Sequence, residues 1–206
     1  MNGDFVNNVK KIVAVLGAGL LLFVTGCSTS SSNAAATIGK TVIPISTLQG
    51  TVSEIIKERS KVDTEGLTLA VGEELNVNSI RFHIISVLFD DIAEKIKIKV
   101  TDADLAARRA DILKQIGGEE RLPLSLVGAQ IAPQDFERYI RTVVLAEKLG
   151  EALKANGDTS TDGSGLQRLI VGMANEQKVV INPRYGVWDY ASGNVAPIAD
   201  NATVKK

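Results

Sequence analysis

Apolar residues recur every three or four positions in five stretches of the chain, the spacing typical of amphipathic helices. These stretches are residues 46–61, 78–97, 101–116, 133–154 and 166–173. The second stretch has the broadest apolar face, which consists of Ile80, Phe82, Ile84, Ile85, Leu88, Phe89, Ile92 and Ile96. A face this broad contacts more than one neighbour, so we expect this helix at the centre of a bundle.

Local signals mark where several of these helices begin and end. Residues 46–49 and 101–104 have the pattern of capping boxes, in which a hydroxyl side chain accepts a hydrogen bond from the helix backbone. The glycine pair 117–118 is typical of a helix end, and Pro133 stands where the first turn of a helix tolerates proline. Residues 122–130 fit only one short helical turn.

Two short segments favour strands, and they lie near the two ends of the helical region. Residues 37–43 are rich in β-branched side chains and stop at Pro44, and residues 179–181 stop before Pro183. We expect these strands to pair with each other. The predicted fold is therefore mainly α, a bundle of about five helices with two short strands, and Tyr185 and Trp188 are expected to cover it.

The N-terminal residues 1–26 are predicted to be a signal peptide. A positive pair at 10–11 precedes the apolar run 12–24, which is shorter than the roughly 20 residues of a membrane-spanning helix. The run ends in Val-Thr-Gly followed by Cys27, which resembles the lipobox of bacterial lipoproteins. The resemblance implies that Cys27 receives a lipid and becomes the first residue after cleavage. The alternative is an uncleaved anchor helix with an idle cysteine.

Three further segments are polar and rich in small residues, which is typical of flexible chain. Residues 27–36 are predicted to be a lipidated tether, residues 156–165 a linker, and residues 190–206 a flexible tail. Residues 37–189 remain for the folded domain.

Charge and cysteine content limit the classes of partner. The chain has a formal net charge of −1, whereas nucleic-acid binding needs a concentrated basic face, so no nucleic-acid partner is expected. A single cysteine cannot form a disulfide within the chain, so the fold depends on its apolar core.

The sequence contains little that is typical of an enzyme. His83 is the only histidine, and without a second His or a free Cys it lacks partners for a zinc site or for nucleophilic catalysis. Asp90, Asp91 and Glu94 fit a solvated helix face better than an acid–base pair. No catalytic residue, metal site or cofactor is predicted, and the turn at residues 182–186 is interpreted as structural.

The order of elements resembles the N-terminal domain of SurA/PrsA-type foldases, which are extracytoplasmic bacterial chaperones. The resemblance rests on ATIGKTVIPIS at 36–46, TDAD at 101–104, PQDF at 133–136 and VVINPRYGVWD at 179–189. Full foldases carry a parvulin-type prolyl isomerase module before the closing segment. This chain has only the linker 156–165 at that position, so the isomerase is absent.

The resemblance implies a non-enzymatic, membrane-anchored lipoprotein on the extracytoplasmic face that holds or escorts unfolded or partly folded exported proteins. Such binding needs an apolar groove with a polar rim. Its candidate residues are Phe82, Phe89, Phe136, Tyr139 and Met173. The alternative is a scaffolding lipoprotein that binds one specific folded partner in the cell envelope.

Overall fold

The computed structural model describes residues 33–160 and 162–197. Helices dominate this part of the chain, and the prediction of a mainly α domain with short strands is confirmed. The α-helices are α1 (Ile45–Arg59), α2 (Gly72–Lys95), α3 (Asp102–Ile116), α4 (Leu122–Ala129), α5 (Phe136–Ala155) and α6 (Ser164–Gln177). Short 3₁₀ turns lie at Glu119–Arg121, Pro133–Asp135 and Pro183–Tyr185. The sixth helix is α4, which the sequence had predicted only as a short turn.

The strands are β1 (Ala34–Ile38), β2 (Thr41–Pro44), β3 (Val180–Ile181), β4 (Val187–Asp189) and β5 (Asn194–Ala196). They form a three-stranded sheet in the order β2-β1-β3 and a separate β4–β5 hairpin. Ala36 lies opposite Ile181 and Thr37 opposite Val180 in antiparallel register, so the predicted pairing of strands from the two ends is confirmed. The β-prone segment 37–43, in which Gly39 is positioned for a turn, lies on two strands, β1 and β2, and these are joined by a turn at Gly39 and Lys40.

The predicted flexible tether was wrong for its last residues. Ala34, Ala35 and Ala36 belong to β1 and are buried, because the strand packs on α1 and α2 and its alanine side chains fit into that narrow space. Residues 1–32, which include the predicted signal peptide, Cys27 and most of the tether, lie outside the described residues.

The predicted flexible tail was also wrong as far as β5. Trp188 and Val195 lie opposite each other in the β4–β5 hairpin, and both are buried in the main core. The Tyr190 hydroxyl donates a 2.8 Å hydrogen bond to the carbonyl oxygen of Val179. Tyr185 is buried as expected. Residues 198–206 are outside the described part of the chain.

Helix α2 lies at the centre of the domain, as its apolar face predicted. It packs against α1, α5, α6 and β1, and it buries Ile80, Ile84 and Leu88 completely. It begins at Gly72, six residues before the predicted start at 78, because Leu75 and Val77 also reach the core. The main core joins α2 with side chains from α5, α6 and the sheet.

The predicted helix caps were right for α3 and wrong for α1. Thr101 and Asp104 form the expected capping box, and Gly117 ends α3 with a φ of 92°. In α1, however, Pro44 is the N-cap and no side chain caps the helix, so the box at 46–49 does not form. The segment between α5 and α6 is shorter than the linker predicted at residues 156–165, because α6 already begins at Ser164.

Residues 33–160 and 162–197 belong to one compact unit, which contains the whole described core. None of the described helices is long and apolar enough to span a bilayer.

Candidate functional site

Helix α3 covers apolar residues without burying any residue of its own completely. Local interactions stabilise it instead. The Thr101 hydroxyl accepts a hydrogen bond from the Asp104 backbone N–H, and the Asp104 carboxylate accepts from the backbone N–H of Thr101. The hydrogen bond from the Thr101 backbone, together with one from Lys148, lowers the pKa of Asp104 to about 2. The helix is therefore specified by its caps more than by its packing.

We call α3, the turn Glu119–Arg121 and α4 the arm. Between α3, α4 and α5 lies a small apolar cluster that is separate from the main core, and we call it the arm cluster. Its buried residues are Leu126 of α4 and Phe136 and Ile140 of α5. Five half-buried side chains pack around it, namely Leu105, Ile112, Leu122, Ile131 and Tyr139. The arm cluster is thus an apolar surface, and the side chains that surround it are themselves partly exposed to solvent.

Ion pairs connect the arm to α5. Arg109 contacts Glu137 at 2.6 Å and Glu119 at 2.9 Å, and Lys148 contacts Asp104 at 3.0 Å. Arg108 pairs with Glu147 in the same way.

Exposed ion pairs of this kind stabilise a protein by only about 0–1 kcal/mol each, and salt weakens them further. The attachment of α3 is therefore weak compared with the packing of α2.

A cleft of about 380 Å³ opens beside the arm, between α2, α3 and α5. Its lining is mostly charged, and an ion pair between Arg141 and Asp90 at 2.8 Å crosses it. Leu105 contributes an apolar side chain to the lining, and Glu137 and Arg138 contribute charged ones. The arm cluster consequently has a charged rim on this side.

His83, the only histidine, is buried in a polar network. The Thr51 hydroxyl donates a 2.7 Å hydrogen bond to Oδ2 of Asp135 and lies 3.0 Å from Nε2 of His83. The exposed fractions of Thr51, His83 and Asp135 are 2%, 3% and 8%. The hydroxyl stands between the ring and the carboxylate and is buried, so the group lacks the accessible nucleophile of a catalytic triad.

The residues predicted for client binding do not share one surface. Phe89 and Met173 are buried in the main core. The half-buried ring of Phe82 is tilted by 59° against the His83 ring, with ring centres 5.3 Å apart. Phe136 and Tyr139 belong to the arm cluster and its surround. The structure therefore brings together only this last pair.

Sequence reasoning missed the rest of the arm surface, because the helical spacing of Leu105, Ile112, Leu113 and Ile116 predicts that all four face the core. All four are only half-buried. The signal that could have identified the surface is the high proportion of charged residues on the remaining face of α3.

No family model, curated protein or solved structure matches this chain. The resemblance to SurA/PrsA-type domains therefore stays a prediction from the order of elements. Within residues 33–160 and 162–197, no three His, Cys, Asp or Glu side chains are grouped so that they could hold a metal ion.

Proposed function

We propose that this chain is a chaperone-like lipoprotein that is anchored through Cys27 on the extracytoplasmic face of a membrane. It holds exported polypeptides while they are unfolded or partly folded, without enzymatic activity. The observation that supports this proposal best is the arm, in which a helix with no completely buried residue covers an apolar cluster.

The arm cluster has the chemistry that a holding site requires. Unfolded chains expose apolar side chains, and these can pack on Leu126, Phe136 and Ile140 when α3 moves aside. Moving α3 breaks exposed ion pairs of small individual value and the packing of half-buried Leu105 and Ile112. Apolar side chains of a bound client would replace that packing. The charged rim stays in water and keeps the open form soluble.

Attachment through Cys27 would hold the domain close to the membrane. Residues 28–33 join the cysteine to β1, and six residues span at most about 20 Å when fully extended. Acyl chains on the sulfur supply the anchor, since each buried CH₂ contributes about 0.8 kcal/mol. Clients that emerge at the membrane surface would therefore meet the domain at short range.

The test uses the chain from residue 28 onward and an aggregating client protein, with light scattering as the measurement. The wild-type domain at several-fold excess should suppress scattering. Ile131→Ser, which removes a half-buried contact of the arm cluster, should require several-fold more protein for the same effect. Ile56→Ser is the matched control, because Ile56 is an exposed helical isoleucine outside the arm cluster.

Unchanged scattering with the wild-type domain would contradict the proposal. Crosslinking in cells then distinguishes the scaffolding alternative. A holding protein yields many crosslinked clients, whereas a scaffold yields one partner.

A further inference from the structure

The Thr51–His83–Asp135 network joins three separate elements at one point in the interior. Thr51 lies in α1, His83 in α2, and Asp135 in the 3₁₀ turn that leads directly into α5. The next residue, Phe136, is buried in the arm cluster. The network therefore fixes the backbone that carries an arm-cluster side chain.

The single hydrogen of the Thr51 hydroxyl determines which ring nitrogen of His83 carries the proton in the neutral imidazole. The Thr51 hydroxyl has one hydrogen, which it donates to the Asp135 carboxylate, so toward His83 it can only accept. Nε2 of His83 must carry the hydrogen of that contact. Protonation of the ring therefore adds its hydrogen at Nδ1 and creates a cation in the buried site.

The surroundings of His83 disfavour that cation overall. Burial lowers the pKa of the imidazole, and Arg138 acts in the same direction, whereas the Asp135 carboxylate opposes them. These two charged groups lie at the start of α5, while α1 contributes the neutral Thr51 hydroxyl and α2 the neutral Phe82 ring. Neutral His83 is thus the form that fits the closed network.

From this geometry we infer that the Thr51–His83–Asp135 network is an acid-sensitive pin, whose release frees the start of α5 and uncovers the arm cluster. The inference deepens the proposed function, on which its biological role rests, by giving the holding site a regulator. Acid would increase the apolar surface that is open to clients.

The direction of the pH effect follows from the lowered pKa. Between the folded-state pKa and the ordinary value near 6.5, the open or unfolded chain binds a proton that the closed domain does not. Stability of the closed form is therefore complete above that ordinary value and is lost as the pH falls below it. One proton changes the opening equilibrium by at most about tenfold per pH unit.

The experiment uses the chain from residue 28 onward and its His83→Gln variant, in which the amide keeps an N–H donor for Thr51 but does not titrate. Because His83 is the only histidine, its ring signals in an NMR titration need no assignment. The midpoint should lie below 6.5. Binding of a fluorescent apolar dye should rise from pH 7.5 to pH 5 in the wild type and stay level in His83→Gln. The opening equilibrium of residues 126–140, obtained from amide exchange divided by the intrinsic exchange rate at each pH, should change in the same way.

A midpoint at or above 6.5, or an equal rise in the variant, would overturn the acid-sensitive pin. If His83→Gln fails to fold, the midpoint of the His83 titration and the amide exchange of the wild type still test the inference. Suppression of client aggregation, measured at pH 7.5 and at pH 5, distinguishes the proposed function from the acid-sensitive pin. Exposure that responds to acid without any client held would sink the proposed function alone, and holding that is equal at both pH values would sink the pin alone.

Discussion

The guanidinium carbon of Arg109 lies 5.3 Å from the centre of the Phe136 ring, so a cation on the arm stacks over an apolar side chain of the arm cluster. The same guanidinium pairs with Glu137 on α5 and Glu119 on the arm. Arg109 therefore connects α3 to the surface that it covers through both an ion pair and a cation–π contact.

We expect Arg109→Gln to loosen α3 without unfolding the domain. The exposed ion pairs and the cation–π contact each contribute about 1 kcal/mol or less, so the free energy of unfolding should fall only slightly. Amide exchange in α3 should become several-fold faster. Arg168→Gln, which removes an ion pair with Asp158 away from the arm, is the matched control and should leave exchange in α3 unchanged.

We expect Ile140→Ala to destabilise the whole domain. Ile140 is completely buried at the centre of the arm cluster, and truncation of a buried isoleucine to alanine costs about 2–5 kcal/mol. Urea unfolding measures the loss. Ile56→Ala makes the same change at an exposed helical site and should alter the free energy of unfolding by about 0.5 kcal/mol or less. Equal losses in both variants would contradict this assignment of the core.

Two glycines should respond in opposite directions to replacement by alanine. At Gly186 the φ is 118°, and an added Cβ would lie 2.6 Å from the carbonyl oxygen of Ala196. Gly186→Ala should therefore disrupt the β4–β5 hairpin and cost more than about 1 kcal/mol. Gly172 is an exposed interior residue of α6 with open space around it, so Gly172→Ala should stabilise the domain by about 0.5–1 kcal/mol.

Thermal unfolding measures both glycine variants. In Gly186→Ala the emission of Trp188, the only tryptophan, should also shift to longer wavelength as the hairpin opens. A Gly186→Ala protein with wild-type stability and emission would show that the hairpin accommodates the methyl group.

Replacement of Cys27 by serine should abolish membrane attachment under the proposed anchoring, because a hydroxyl does not accept the thioether-linked lipid. Fractionation of cells and mass spectrometry of the product measure the effect. The wild type should partition with membranes at a mass that includes acyl chains. A Cys27→Ser chain that still partitions with membranes at its processed mass would refute the lipid anchor.

The helices with strong apolar periodicity could be predicted from the sequence, and so could the pairing between the ends of the domain. The central position of α2 followed from its broad apolar face, and the capping box at Thr101 followed from residue types at fixed spacing. The helices and the capping box depend on local sequence, which is why reasoning from pattern identified them. The pairing of β1 with β3 joins distant residues, and it was predicted because the sequence favoured only two strand segments.

Features that depend on tertiary context were missed. Ala34–Ile38 begins with three alanines, which have low β propensity. This segment is a strand because it pairs with β2 and β3 and packs on α1 and α2. Similarly, Thr51 and Asp135 are 84 positions apart and carry no local signal of their hydrogen bond. The arm cluster was missed because half-buried and fully buried leucines and isoleucines have the same spacing in a sequence.

The position of β1 between β2 and β3 has a mechanical consequence under the proposed anchoring. Any pull from the membrane would enter the domain at residue 33 and act along the central strand of the sheet, which has hydrogen-bonded neighbours on both sides. An edge strand in the same position could be peeled off along one row of bonds. Here traction on the lipid must break two rows together and draw the buried alanines out of the interior.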